Sequence, residues 1–334
     1  VDLTRLMAEE NNVEIDEIGF EKAQLEAKER SKARSSKETG DVVALTVHDL
    51  GALEKNDDVP RTDDSFKYGM DDITSTIKAI HNNGEFVKSV DETSGRFGIL
   101  LDKTNFYAEQ GGQIYDTGDI TIDGKAHFFV EDVQVFGGYV LHIGFIKFGS
   151  LNVGDDVTCS YDELRRWPIR NNHTGTHILN FALRDTLGDV VDQKGSLVAP
   201  TKLRFDFSAK GSVSPAELSK IETICNDVIA KNLTVYAQEV GIAVGKTING
   251  LRAVFGETYP DPVRVVSVGF DIKDILADPS NKKWETSSIE FCGGTHVKST
   301  GDIKRFVIME ESSISKGIRR IVAVTGDEAT QALD

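Results

Sequence analysis

The chain has 334 residues, 39% of them hydrophobic and 28% charged, with three cysteines and a formal net charge of −16. At about 100–200 residues per domain this allows two or three domains. The composition is that of a globular protein. Three cysteines exclude a disulfide scaffold and fit a reducing compartment. No apolar run approaches the roughly 18 residues of a membrane span, and no signal-peptide pattern is visible. The expectation is therefore no membrane partner and a cytoplasmic location, with a mitochondrial form as the alternative. The charge is uneven: residues 1–165 hold 33 acidic and 17 basic residues, and residues 166–334 hold 21 of each. Phosphate contacts need Lys and Arg, so an anionic partner is expected on the second half.

In chain order, residues 1–37 read as a helix. Phe20–Arg34 is rich in helix formers with opposite charges three and four apart, and Ser35, Ser36 and Gly40 end it. Residues 1–40 are thus a helical lead-in. Residues 41–165 alternate short β-branched and aromatic runs with turn signals. The runs are Val42–Val47, Phe86–Val90, Phe97–Leu101, Asp119–Ile122, Phe128–Val135, Tyr139–Ile146 and Val157–Tyr161. Asp123-Gly124 and Gly137-Gly138 sit where hairpin turns would, and the acidic segment Lys55–Ser75 reads as a loop. Such spacing predicts a small antiparallel β-barrel domain. Residues 166–334 mix helices (Asn172–Leu187 and Ser214–Asn232) with strands (Leu203–Phe207, Val263–Val268, Ile303–Glu310 and Ile318–Val324). Ser214, Pro215 and Glu217 form the start signal of the second helix. The fold class expected is α+β: an N-terminal helix, a barrel, then an α+β domain with helices on an antiparallel sheet.

Two of the seven histidines form His173-Thr-Gly-Thr-His177. On a helix, i and i+4 share one face about a turn apart, which suits two ligands of one metal. Downstream, Cys292-Gly-Gly-Thr-His296 adds a thiolate and an imidazole in a glycine-loosened segment. One Cys with three His is a donor set that zinc prefers, so Zn2+ is the expected cofactor. Cys159 and Cys225 lack histidine partners and read as buried apolar residues. A zincin would need Glu where Thr174 stands, and the zinc-deaminase motif is absent. Four protein ligands leave no evident open position, so a metal here would orient a substrate or serve structure alone. Gly241–Thr247 imitates a phosphate loop but is one residue short before Gly-Lys.

Three further features stand out less sharply. Thr104–Gly118 combines aromatics, paired glycines and Gln113, and by itself reads as a tight hairpin corner. Asp192–Val198 followed by Arg204-Phe-Asp-Phe207 places an amide, a lysine and an arginine within reach of a polar substrate. Arg165, Arg166 and Arg170 around Trp167, and Lys316, Arg319 and Arg320, are local positive sites that could meet phosphates.

Taken together, Asn172–Leu179, Gln193–Val198, Arg204–Phe207, Cys292–His296, Thr104–Gly118 and Gly317–Gly326 closely resemble the post-transfer editing region of the alanyl-tRNA synthetase family. The resemblance covers nearly the whole chain, and Glu109-Gln-Gly-Gly112 resembles the eukaryotic branch. It makes residues 1–40 the end of a tRNA-binding helical domain. It implies an aminoacyl-tRNA deacylase that hydrolyses the ester of Ser-tRNA(Ala) and Gly-tRNA(Ala) at a zinc-containing site. His173, His177, Cys292 and His296 would hold the zinc beside the 3′ acceptor end of tRNA(Ala). Gln193 would read the serine hydroxyl, with Gln113, Thr104 and Arg204 as further substrate-binding residues. Asp206 would support a ligand histidine, and no general base is assigned. The family usually has Ala where Gly175 stands, a difference worth about 1 kcal/mol in a helix. Nothing resembles a class II catalytic core, and no long C-terminal domain follows Asp334. The expectation is an excised piece of the enzyme that contacts its aminoacylation and C-terminal domains, with a standalone editor as the alternative. The rival expectation is a non-catalytic, zinc-stabilised module that binds tRNA acceptor stems.

Overall fold

A computed structural model describes residues 42–254 and 257–333; the helix expected over 1–37 lies outside them. Leu45–Asp334 form one compact unit. Its first element is helix α1 (Val47–Leu53), where a strand was expected over Val42–Val47. The cause is a capping box. Thr46 Oγ1 accepts from the Asp49 backbone N–H, and Asp49 Oδ2 accepts from that of Thr46 at 2.7 Å.

Eight strands follow: β1 (Ile73–Asn82), β2 (Glu85–Val87), β3 (Ser89–Asp91), β4 (Phe97–Leu101), β5 (Gly118–Ile122), β6 (Ala126–Phe136), β7 (Tyr139–Asn152) and β8 (Asp156–Tyr161). In the order β1-β4-β7-β6-β5-β8 they close on themselves through a β8–β1 pairing, giving the expected antiparallel barrel with six strands. β2 lies beside β1 and β3 beside β7, so the run Phe86–Val90 is split between two short strands. β1 begins inside the segment expected to be a loop, and its inward residues Ile77 and Ile80 are fully buried. Phe97, Ile99, Leu101, Phe128, Val130 and Cys159 complete the interior. Gly137 and Gly138 join β6 to β7 with φ of +57° and +88°. That two-residue turn needs positive φ at both positions, and its twist matches the strands it connects.

The long β4–β5 connection carries the Thr104–Gly118 stretch out of the barrel. Gln110 and Gln113 exchange backbone hydrogen bonds of 3.1 and 3.3 Å across Gly111-Gly112, which is the tight corner expected. The corner then pairs with β9 (Gln193–Val198): Val198 donates to the Gly112 carbonyl at 2.7 Å, and Ile114 donates to the Val198 carbonyl at 3.1 Å.

Helix α2 (Glu163–Leu187) begins nine residues before the expected start. Asp162 caps it, accepting from the Arg165 N–H at 3.1 Å, and the helix continues through Pro168 beside the exposed Leu164. After β9 come β10 (Leu203–Ser208), α3 (Pro215–Ala230), β11 (Val235–Val240), α4 (Ile242–Gly245), β12 (Val263–Val268), α5 (Ile272–Ala277), β13 (Ile289–Phe291), β14 (Phe306–Ser315), β15 (Ile318–Thr325) and α6 (Gly326–Gln331). The strand expected from Ile303 starts at Phe306, because Ser299 and Asp302 cap a 3-10 turn over Thr300–Ile303. Two antiparallel sheets result, β14-β15-β10-β9 and β11-β12-β13. Ile178, Leu179, Ala182 and Leu183 of α2 and Ile221, Cys225 and Ile229 of α3 pack on Phe205, Phe207, Phe306 and Ile321 of the larger sheet. This is the expected layer of helices on an antiparallel sheet.

One buried ion pair ties α2 to the barrel's long loop. Arg166, fully buried, binds the Asp116 carboxylate, donates to the carbonyls of Lys67 and Asn105 at 2.7 Å each, and lies 3.3 Å from the Tyr161 ring centroid. The Asp116 carboxylate also accepts from the Tyr107 N–H at 2.7 Å. Each nitrogen of the guanidinium group has a partner, which is the condition under which a buried charge is tolerated.

Candidate metal centre

Helix periodicity builds half of the centre. His173, His177 and Asn180 stand at i, i+4 and i+7 of α2 and are buried on one face. The other half is the segment after β13. There Cys292 Sγ lies 3.3 Å from both His173 Nε2 and His296 Nε2. The ring centroids of His173 and His177 lie 4.4 and 4.5 Å from that of His296. Donor atoms from the four residues all lie within 4.8 Å of one another. Residues separated by more than a hundred positions are thus brought to one point, as the sequence predicts.

Each imidazole also has an outer neighbour. Gln113 Oε1 lies 2.7 Å from His173 Nδ1, Thr174 Oγ1 lies 3.1 Å from His296 Nδ1, and Glu290 Oε2 lies 3.7 Å from His177 Nε2. Asn180 Nδ2 holds the other Glu290 oxygen at 2.9 Å. The remaining nitrogen of His177, Nδ1, is buried with no hydrogen-bond partner. An orphaned buried nitrogen on one member of this Cys and His cluster is what a bound cation would satisfy. The residues present therefore fit a zinc ion.

The Cys292–His296 segment is clamped from outside. Arg264 on β12 donates to the carbonyls of Cys292 and Gly294 at 3.0 and 2.9 Å. Its guanidinium group lies 4.0 Å from the ring centroid of Tyr68, whose hydroxyl donates to the Gly293 carbonyl at 2.9 Å. Gly294 is obligatory here: a Cβ would land on the His173 ring and within 2.9 Å of Gln113 Oε1. Burial, and then the charge of Arg264, lower the pKa of His173 to about 3; burial holds His177 and His296 well below the ordinary histidine value. The rings are neutral and available as ligands. Burial raises the Cys292 thiol to about 11 and the Glu290 carboxyl to about 8.

The structure distributes the other expected site residues differently. Gln113 joins the centre, fully buried. Thr104 is buried in the barrel region with its hydroxyl 2.7 Å from His142 Nε2. Gln193 shares the helix-facing side of β9 with Ser196, to which it donates at 3.1 Å, and Ser196 packs on Gly112, next to Gln113. Arg204 Nε lies 3.6 Å from Asp206. Asp206, expected beside a ligand histidine, accepts instead from Arg320 at 2.7 and 2.9 Å, directly across the β10–β15 pairing. The arginine clusters expected to be open to phosphates are largely committed. Arg166 binds Asp116, Arg170 binds Glu163 and the Tyr161 hydroxyl, Arg319 binds Glu311, and Arg320 binds Asp206. Glu290, Arg264 and Tyr68 were not singled out from the sequence. Only Glu290 left a signal, a lone charge within the apolar run Ile289–Phe291.

Comparison with known proteins gives this geometry a context. Residues 1–165, where no class II catalytic core was recognisable, match the family described as tRNA synthetases class II (A). Residues 263–322 match the threonyl and alanyl tRNA synthetase second additional domain, a span that includes Arg264, Glu290, Cys292 and His296. An alanine–tRNA ligase of Candida albicans is 62% identical over 98% of this chain and 34% of its own length. The mitochondrial alanine–tRNA ligase of Saccharomyces cerevisiae is 60% identical over 99% of this chain and 34% of its own length. The cytoplasmic alanine–tRNA ligase of Dictyostelium discoideum is 49% identical over the whole chain and 35% of its own length. The chain thus spans about a third of the length of these curated relatives. Among the described residues no helix is long and apolar enough to cross a membrane.

Proposed function

The chain belongs to the alanyl-tRNA synthetase family, and from that premise we propose that it carries the family's editing step, hydrolysis of the ester in Ser-tRNA(Ala) and Gly-tRNA(Ala). The observation that carries the reading is the convergence of His173, His177, Cys292 and His296 donors within 4.8 Å, beside an orphaned His177 nitrogen. Those four residues would hold zinc, which when bound supplies a fixed positive charge able to orient or polarise part of the aminoacylated 3′ end. The need for such a site is physical. An alanine pocket cannot exclude the smaller glycine, and rejects an added hydroxyl by only about a hundredfold.

The chain's own residues supply the selection. Gln193 reads the serine hydroxyl from the helix-facing side of β9, and an alanine side chain would leave that amide unpaired, which disfavours the correct product. Glu290 faces His177 and is held by Asn180, so it is committed to a ligand rather than free to activate water. No side chain is assigned as general base. Arg264 and Tyr68 fix the backbone of the ligand segment, which keeps the donors in place when substrate enters. In this reading the division near residue 165 separates the barrel, 41–165, from the metal-bearing part, 166–334. The acceptor end of tRNA(Ala) meets the second part, and other surfaces face the aminoacylation and C-terminal domains of the whole enzyme.

The test is incubation of the zinc-loaded protein with Ser-tRNA(Ala) and Ala-tRNA(Ala). Serine should be released and alanine retained, and Cys292→Ala should abolish release while circular dichroism shows a folded protein. Equal hydrolysis of both substrates, or full activity in a folded, zinc-free Cys292→Ala protein, would overturn the proposal. Salt-sensitive tRNA binding with no turnover would support the non-catalytic module instead.

A further inference from the structure

Gln113 comes from the barrel's long loop and yet lies at the metal centre, fully buried. Its backbone is fixed by the exchange with Gln110 and by the bridge to Val198 on β9. Its side-chain oxygen lies 2.9 Å from the backbone nitrogen of Thr295 and 2.7 Å from His173 Nδ1. Its side-chain nitrogen lies 2.9 Å from Thr295 Oγ1. Thr295 sits within the Cys292–His296 segment, one residue before a ligand.

These contacts determine one another. A backbone N–H can only donate, so the Gln113 atom facing the Thr295 nitrogen must be the carbonyl oxygen. That settles which way the amide points. The same oxygen faces His173 Nδ1, and an oxygen of this kind can only accept, so Nδ1 must carry the proton. The neutral ring then has its lone pair on Nε2, the nitrogen 3.3 Å from Cys292 Sγ. Both lone pairs of the Gln113 oxygen are used, and the side chain has no exposed surface to offer a substrate.

Building on the metal reading above, we propose that Gln113 is a positioning residue: it fixes the Nδ1–H tautomer of His173, presents Nε2 to the metal, and does not touch the substrate. The barrel loop thereby takes part in metal binding through one amide. Partners of this kind on a ligand histidine typically change metal affinity by about 10–100-fold when removed.

The experiment uses the whole chain with isotope-labelled histidine and reads ring chemistry by nitrogen NMR on the cadmium-loaded protein. In the unmutated protein His173 should carry its proton on Nδ1 and couple to cadmium through Nε2; the reverse pattern overturns the proposal without any variant. Gln113→Met should release zinc to a chelator roughly 10–100-fold faster and alter the visible absorption of the cobalt-loaded protein. Gln113→Glu, which keeps the acceptor, should restore both. Unchanged release and spectra in a folded Gln113→Met protein that has lost Ser-tRNA(Ala) hydrolysis would overturn the proposal and make Gln113 a substrate contact. A protein with the predicted tautomer and metal retention that hydrolyses neither ester would leave the proposal standing and remove the editing reading.

Discussion

The interior of the barrel is mainly apolar, with Ile77, Ile80, Phe97, Ile99, Phe128 and Val130 buried together beside one buried polar pair, Thr104 and His142. Helix α2 buries Asn172, His173, Thr174, Thr176, His177 and Asn180 along one stretch. Apolar burial is non-directional and roughly proportional to area, so the barrel tolerates small changes of shape. Each buried polar group costs about 1–3 kcal/mol when its partner is removed, so the stretch on α2 depends on specific pairings. Those pairings reach across the unit: Gln113 to His173, Glu290 to His177, and Asn172 Oδ1 to the Thr325 hydroxyl at 2.7 Å. The two regions share one folded unit but should fail in different ways.

The largest effect is expected at the candidate metal centre. Cys292→Ala should bring bound zinc close to zero and lower the melting temperature of a protein that still folds, since metal binding contributes folding free energy; metal analysis with calorimetry measures both. Next, Arg166→Ala should cost about 3–5 kcal/mol in denaturant unfolding by leaving Asp116 buried and unpaired. A loss below about 1 kcal/mol, the level of an exposed pair, would show that the barrel loop and α2 are not held by this pair. Gly294→Ala should cost about 1–3 kcal/mol through overpacking and also reduce metal content, because its methyl group meets His173. In contrast, Ile77→Val inside the barrel should cost about 0.5–1.5 kcal/mol and leave metal content unchanged. The smallest effect is expected for Gly175→Ala. The helix gains about 1 kcal/mol, but the new methyl group meets the hydrogen-bonded Thr325 side chain at 3.1 Å, so the net change should stay within about 1 kcal/mol.

The contrast also explains what could be read from the sequence. Barrel strands β4–β8 were legible because alternation and paired turn glycines are local signals. β1 was obscured by the acidic segment before it, and α1 by β-branched residues that conceal a capping box. The four residues of the candidate centre were legible because their residue types and i, i+4 spacing carry the chemistry. Their supports were not. Arg264, Tyr68 and Glu290 act through contacts made only after β12, β13 and the loop before β1 are folded together. The arginine clusters misled for the same reason: a run of charge does not disclose that Asp116, Glu163, Glu311 and Asp206 will neutralise it. Asp206 misled because only the β10–β15 register places it opposite Arg320.

Metal content is the most direct test of the central claim that helix α2 and the segment after β13 together assemble one zinc centre. Mass spectrometry under native conditions should find one zinc per chain in the unmutated protein, retained in Ile77→Val and lost in both His177→Ala and Cys292→Ala. An unmutated protein that stays metal-free after exposure to zinc, or a folded Cys292→Ala protein that keeps its zinc, would contradict the account.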